Sequence, residues 1–470
     1  MTILTQVFQE CVTNIFDLKI KEGLSRIMDP HQPIYTIENY TTLITSINDF
    51  VFELSRRWLE ETIKTMDTQF KESNYRKQNY YINKTTSRSL ITVFGRINIM
   101  RTFYTCRKTN KTYCYVDRKL GLPKYDRYDP CVKSLVVELY ANQNSMIKTG
   151  QMIGDKIHSL YSLEASRKDF SISRQTVMNI LKAYGQVIID KQERVLNTPS
   201  TLYIMADEKY IACQRETSDS QMVKAAVVFE GISQLSPSRK AIDNKFVYLS
   251  SDLDFWSDVH EQLYQRYDMK KVKQIYLMGD GASWIKSGQS ELKSQITNVS
   301  FALDKYHFKK AINSLSNDRN TCTILSDYVI NNQKEKFISL TNVIKEVEWN
   351  RSKLIEDTQK YILKQWDHIQ NAYHIVHVGC PMEQAISHMI ASQFSSVPKA
   401  YTKSNLSIYL ALRNHHLNHY DLRSLYFQAM NTKKEKNIRI ISEDYDFSIF
   451  EPKSEYYASS VTKWLKDYIT

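Results

Sequence analysis

Two apolar runs in this chain finish on an acid. One is LYIMADE, which closes on Asp207 and Glu208; the other is QIYLMGDGASW, in which Asp280 precedes a glycine turn. Both runs read as buried strands. An unpaired carboxylate in such a place is costly, so two of them call for a reason other than packing. If the strands are neighbours, Asp207 and Asp280 converge on one sheet edge, where a divalent cation removes their repulsion. Hard oxygen ligands at strand ends suit Mg2+ or Mn2+ better than zinc. Side chains alternate along a strand, so Asp207 faces with Tyr203 and Met205, and Glu208 with Ile204 and Ala206. Periodicity leaves open which of the two acids points inward.

Other clusters carry less. LDKYHF sets Asp304 and His307 just after a third apolar run. HIVHVGC spaces His374, His377 and Cys380 as a zinc site would, without a fourth ligand nearby. RNHHLNHY, with His415, His416 and His419, reads as an exposed helix end. There is no Walker A loop, GxGxxG or GxSxG.

The 470 residues are enough for two to four domains. Eleven Gly and nine Pro are few, which argues against repeats and long disordered linkers. Seven scattered cysteines without a CxxC, a polar N-terminus and no membrane-length apolar run together predict a cytoplasmic protein, nucleoid-associated only if its partner is DNA. The net charge of +12 is unevenly distributed: residues 71–120 hold twelve Lys or Arg against two acids. Six tyrosines interleave with those cations. Cations neutralise phosphates while rings stack or pack along the strand, so the window predicts nucleic-acid contact. A glycosidase reading of the paired acids leaves this basic window unexplained.

The elements that must position these residues follow in order. Residues 36–72 carry apolar positions at helical spacing with no Gly or Pro, and their stripe suits either a core or a dimer seam. Alternation over 89–117, with a turn at 108–111, predicts a small antiparallel sheet. Residues 131–186 read as helices. Ser173 is a plausible N-cap there, and Arg174, Gln175 and Asn179 lie on the exposed face of a helix-turn-helix-like pair. From Leu202 onward the order is three strands, a helix, a strand, a helix, as in a ribonuclease-H-like core. Mainly helical sequence then runs from 305 to about 375, too long for a loop.

Taken together, ADE (Ala206, Asp207, Glu208), GDGASWI from Gly279, LDKYHF from Leu303 and GCPMEQAISH from Gly379 resemble, in that order, the motifs of the ISLre-type bacterial insertion-sequence transposases. These are a DDE group related to the Mutator-like enzymes. Upstream, TVFGRINIMRTFY and VDRKLGLPKY extend the resemblance over about 75–413. It implies a mixed α+β chain: a ribonuclease-H-like catalytic core with a long helical insertion, preceded by helical and small-β DNA-binding modules. It also implies an Asp-Asp-Glu triad holding two Mg2+ or Mn2+ ions, carried by Asp207, Asp280 and Glu383, with His307 and Glu208 in support. The implied activity is cleavage at terminal inverted repeats and strand transfer into target DNA. A homodimer is the expected assembly. The DNA-contacting residues expected from the basic window and the helical pair are Arg76, Lys77, Arg96, Arg101, Arg107, Lys108, Arg174 and Gln175. The expected divisions are 1–73 (helical), 74–125 (basic β module), 126–198 (helix-turn-helix-like) and 199–310 with 376–425 (core). Residues 311–375 form the insertion and 426–470 the tail. Gln384 and Val397 replace the family's usual Gly and Arg, which makes a catalytically degenerate DNA-binding protein the alternative.

Overall fold

The computed structural model describes residues 37–143, 145–157, 170–184, 195–214, 220–237, 239–376, 378, 380, 382–395 and 401–441. Those residues form a mixed α+β structure with three sheets among them. No helix among the described residues is long and apolar enough to cross a membrane.

The first helix, α1 (Ile37–Glu72), runs ten turns without a breaker. Its C-terminal half packs through Leu59, Ile63, Met66 and Phe70 on a three-stranded antiparallel sheet. Its strands are β1 (Tyr80–Thr92), β2 (Gly95–Cys106) and β3 (Thr112–Cys114), and α2 (Asn74–Asn79) bridges helix and sheet. Asp67 is buried on α1 with no ion pair among the described residues and accepts from the hydroxyls of Thr102 (2.6 Å) and Tyr104 (3.2 Å). These bonds satisfy the carboxylate and lock the helix to one register on the sheet. A short helix, α3 (Tyr115–Lys119), and the loop after it fold back over the sheet.

Helices α4 (Pro130–Gln143), α5 (Met146–Ile157) and α6 (Arg174–Tyr184) follow. Expected as a separate DNA-binding region, they bury Val136, Leu139, Ile153, Val177 and Leu181 in the same core as the central sheet. At Gly150, α5 comes very close to the segment leading into α6, and an added Cβ would sit 2.0 Å from the Ile172 carbonyl oxygen. Gly150→Ala is therefore expected to push the Ile172 backbone away from α5 and cost about 3 kcal/mol, read as a lower urea midpoint at unchanged m-value.

The central sheet has the order β10-β9-β4-β5-β8. Its strands are β4 (Thr201–Ala212), β5 (Ser220–Phe229), β8 (Phe246–Ser250), β9 (Gln274–Gly279) and β10 (Asn298–Leu303). β4 lies antiparallel to β5 and parallel to β9, and β9 is parallel to β10. Between β5 and β8 a separate hairpin projects, β6 (Gly231–Ser236) with β7 (Arg239–Asp243). Leu202, Ile204, Ala226 and Leu277 face α7 (Phe255–Arg266) and α8 (Ser283–Leu292). Met205, Ala225, Val227 and Met278 face α4, α6 and three later helices, α14 to α16, described below.

After β10 come α9 (Lys305–Leu315), α10 (Arg319–Ile330), α11 (Lys334–Val347), α12 (Ser352–Lys364) and α13 (Trp366–Gln370). They close around Phe308, Leu325, Phe337, Ile362 and Trp366, a core of their own. The chain returns to the sheet with α14 (Met382–Ile386), α15 (Lys403–Leu417) and α16 (Leu422–Ile441).

The edge strand β8 is closed by α15. Asn418 accepts from the Val247 N–H (2.8 Å) and donates to the Val247 carbonyl (2.7 Å). One turn earlier Asn414 does the same with Leu249, at 2.7 and 2.8 Å. Each amide offers one donor and one acceptor, as a neighbouring strand residue would, and spacing four residues apart on a helix aligns them with alternate strand positions.

Candidate active site at the strand ends

The parallel registers bring the acids together. Met205 pairs with Met278, and Met278 with Ala302, so Asp207, Asp280 and Asp304, each two residues further on, stand level across β4, β9 and β10. An N–H bond from Asp304 to the Gly279 carbonyl (2.8 Å) continues the ladder to that point. Gly279 belongs there because a Cβ would meet the Ala206 carbonyl oxygen at 2.9 Å. Gly281 turns the chain at φ +90°, against the side chain of Gln365 from the helical segment.

Asp207 and Glu208 do separate across the sheet. Asp207 lies in phase with Met205, on the face covered by α14, and accepts the backbone N–H of Glu208 at 2.8 Å. Glu208 lies in phase with Ala206 and accepts the indole N–H of Trp284 on α8 at 2.7 Å. Burial pushes the Asp207 carboxyl up to about 6, and the charges of Asp280 and Glu208 push the same way; the Glu208 N–H and His307 oppose them. Glu208 is also raised, first by burial. His307 on α9 holds the Asp304 carboxylate through Nδ1 at 3.1 Å. That bond, and the charges of Asp304, Asp280 and Asp207, raise the imidazole above its ordinary value despite burial. Tyr361 on α12 donates its hydroxyl to the Asp280 carbonyl at 3.0 Å, so the helical segment grips the turn that carries the second acid.

Glu383 sits on α14, whose Met382 and Ile386 pack into the core on the Asp207 face. Its side chain, like that of Gln384, lies outside the described residues, as does Val397. Among the described residues no group of three His, Cys, Asp or Glu is placed to hold a metal. The residues that fit a metal are the carboxylates of Asp207 and Asp280, hard oxygen donors whose mutual repulsion already marks the Asp207 carboxyl. Of the proposed zinc cluster, His374 bonds the Ile330 carbonyl through Nε2 at 2.7 Å, and His377 lies outside the described residues. His415 is not an exposed helix end: it meets the Tyr184 hydroxyl at 2.7 Å, and burial lowers it to about 4.

The cations of the N-terminal half divide into two kinds. Arg101 pairs with Asp117 and is largely buried, so it serves the fold of the module. Arg88, not singled out from sequence, shares Asp117 at 2.9 Å and donates to the carbonyls of Pro123 (2.9 Å) and Asp126 (2.6 Å), stapling the loop over the sheet. Arg76 is half-buried and donates to the Lys71 carbonyl at 2.7 Å. Arg107 lies over the Tyr81 ring at 4.8 Å. Lys77, Arg96, Lys108, Arg174 and Gln175 are exposed. Ser173 accepts the Thr176 N–H and caps α6, while Gln175 donates to Asn179 at 3.1 Å.

Comparison with known proteins places this architecture in a family. Two relatives come from Caldanaerobacter subterraneus subsp. tengcongensis. One UPF0236 protein is 26% identical over 440 residues, covering 92% of this chain and 85% of the relative. A second is 28% identical over 409 residues, covering 85% and 81%. Their names join eleven and four gene designations of that genome respectively. The family model for UPF0236, an uncharacterised protein family, matches residues 37–431, which span all three described sheets, the helical segment and every acid of the strand-end row. The chain belongs to the UPF0236 family.

Proposed function

We propose that this chain is a metal-dependent DNA transposase of the DDE class, built on a ribonuclease-H-like core. The observation that carries the proposal is the register that sets Asp207 and Asp280 level at the ends of adjacent parallel strands. The sheet order, with β5 and β8 antiparallel on one side of β4 and β9 and β10 parallel on the other, is the arrangement that such a core requires. Relatives whose names join many genes of one genome fit a sequence that copies itself.

Asp207 and Asp280, with Glu383 brought by α14, would hold two Mg2+ or Mn2+ ions. The chemistry such ions would supply when bound is activation of a hydroxyl and stabilisation of the leaving oxygen in an in-line displacement at phosphorus. The chain's own contribution is position and charge. Asp304 orients His307 and favours its protonated form, which places an N–H donor beside the acids for a DNA phosphate. The Glu208–Trp284 bond fixes the far face of the same strand end, so that Asp207 keeps its direction. The exposed cations of the basic module and of α6 would hold the terminal repeats, with two copies of the chain acting on two ends.

The test is a cleavage assay with full-length protein and DNA carrying the sequences that flank the gene. Nicks leaving a 3′-hydroxyl should appear with Mg2+ or Mn2+ and vanish with EDTA. Binding with no cleavage in either metal would favour the degenerate DNA-binding protein. Cleavage undiminished by EDTA would overturn the metal-dependent reading.

A further inference from the structure

Above the small sheet lies a groove of about 1090 Å³, walled on one side by β1 and β2 and on the other by α3 and the loop to Tyr125. It exists because of the Arg88 staple, which holds the loop by the Pro123 and Asp126 carbonyls. Its cations lie against rings: Lys84 is 5.5 Å from the Phe103 centroid, Arg118 4.6 Å from Tyr113, and Lys124 4.9 Å from Tyr125. The single acid of the groove, Asp117, is taken up by Arg88 and Arg101, so Lys84, Arg118 and Lys124 leave it positively charged. At its lip Tyr125 is 84% exposed and held at φ +65°, a conformation a bulky residue rarely adopts. The Thr86 hydroxyl in its wall is buried with no hydrogen-bond partner.

We infer that this groove seats an unpaired nucleotide of single-stranded DNA, with the base against Tyr125 and the flanking phosphates on Lys84 and Arg118. The inference rests on the nucleic-acid reading of this module and goes beyond it in naming the strand state and the residues. A duplex offers phosphates, sugars and base edges but no base faces, because these are stacked away. Cations alternating with rings serve a strand whose bases are turned out. Steps that open the end of an element would produce such a strand.

The test measures the fluorescence anisotropy of full-length protein with a labelled twelve-residue oligo-dT and with a labelled hairpin duplex. Tyr125→Ala is expected to weaken oligo-dT binding about tenfold and to leave duplex binding unchanged, while Tyr125→Phe retains both. Arg118→Gln should lower the salt slope for the single strand by about 0.7. Lys108→Gln, outside the groove, should move both probes together. Equal losses on duplex and single strand, or no loss with Tyr125→Ala and Arg118→Gln, would overturn the inference and leave the duplex reading standing. Wild-type protein that binds neither probe would remove both, whatever the outcome of the cleavage assay.

Discussion

Asp207→Asn is expected to abolish strand cleavage, by at least about 10³-fold, and yet to make the metal-free protein more stable above pH 6. The first part follows from the proposed function, in which Asp207 is a ligand to ions that would supply several kcal/mol of transition-state stabilisation. The second follows from the sign of the carboxyl's shift. Its folded-state value of about 6 lies above the ordinary 3.8, so the folded chain favours the protonated acid. The associated stability is fully present below about pH 3.8 and is lost as pH rises through 6. Asparagine carries no charge to bury and escapes that loss. Screening at a partly open strand end reduces the gain to about 1 kcal/mol. Thermal melts should show the variant a few degrees higher at pH 7.5 and level with the wild type near pH 4. Added Mn2+ should raise the wild-type midpoint and leave the variant's in place. A variant that melts with the wild type at pH 7.5, or that cuts at wild-type rate, would remove Asp207 from the proposed site.

Replacing Asn414 and Asn418 together should have the largest effect on stability. Leucine at both positions keeps the apolar volume of α15 but strips the Val247 and Leu249 N–H and C=O groups of their partners. Orphaned backbone groups cost about 1–3 kcal/mol each, so a loss of about 4 kcal/mol or more is expected in urea unfolding. Alanine at both positions should cost about half as much. A cavity of about 480 Å³ lined by these same residues would let water reach the strand and replace the amides. The leucine variant should also associate in a concentration-dependent way, since its sheet edge is open to pairing. A double-leucine protein within 1 kcal/mol of the wild type would show that the amides do not hold the edge.

What the sequence makes legible here is local. The strands ending on Asp207 and Asp280 stand out because an apolar run that finishes on an acid has a short-range signature. The row they form with Asp304 does not, because pairing register is set by contacts between distant segments. The run MVKAAVVFEGI reads as one strand, but the structure ends β5 at Phe229 and starts the projecting hairpin at Gly231. Charge counting finds the basic module and cannot tell that Arg88 and Arg101 are engaged with Asp117. In RNHHLNHY the histidines draw notice as chemical groups. The informative residues there are the two asparagines four apart, a spacing that only becomes meaningful when a strand edge lies beneath them. Helices 130–184 read as a module by their own periodicity. Only packing shows that their apolar faces belong to the sheet.

The asparagine seal has a consequence in time. The strand it closes is complete at Ser250, but the residues that close it come more than 160 positions later, after the whole helical segment. A ribosome adds about 5–20 residues per second, so the nascent sheet waits roughly ten seconds or longer with one edge unsatisfied. Glu383 emerges in the same interval. The chain therefore closes its most adhesive edge only after its last candidate acid has been made, and until then it depends on dilution or on a chaperone to remain alone.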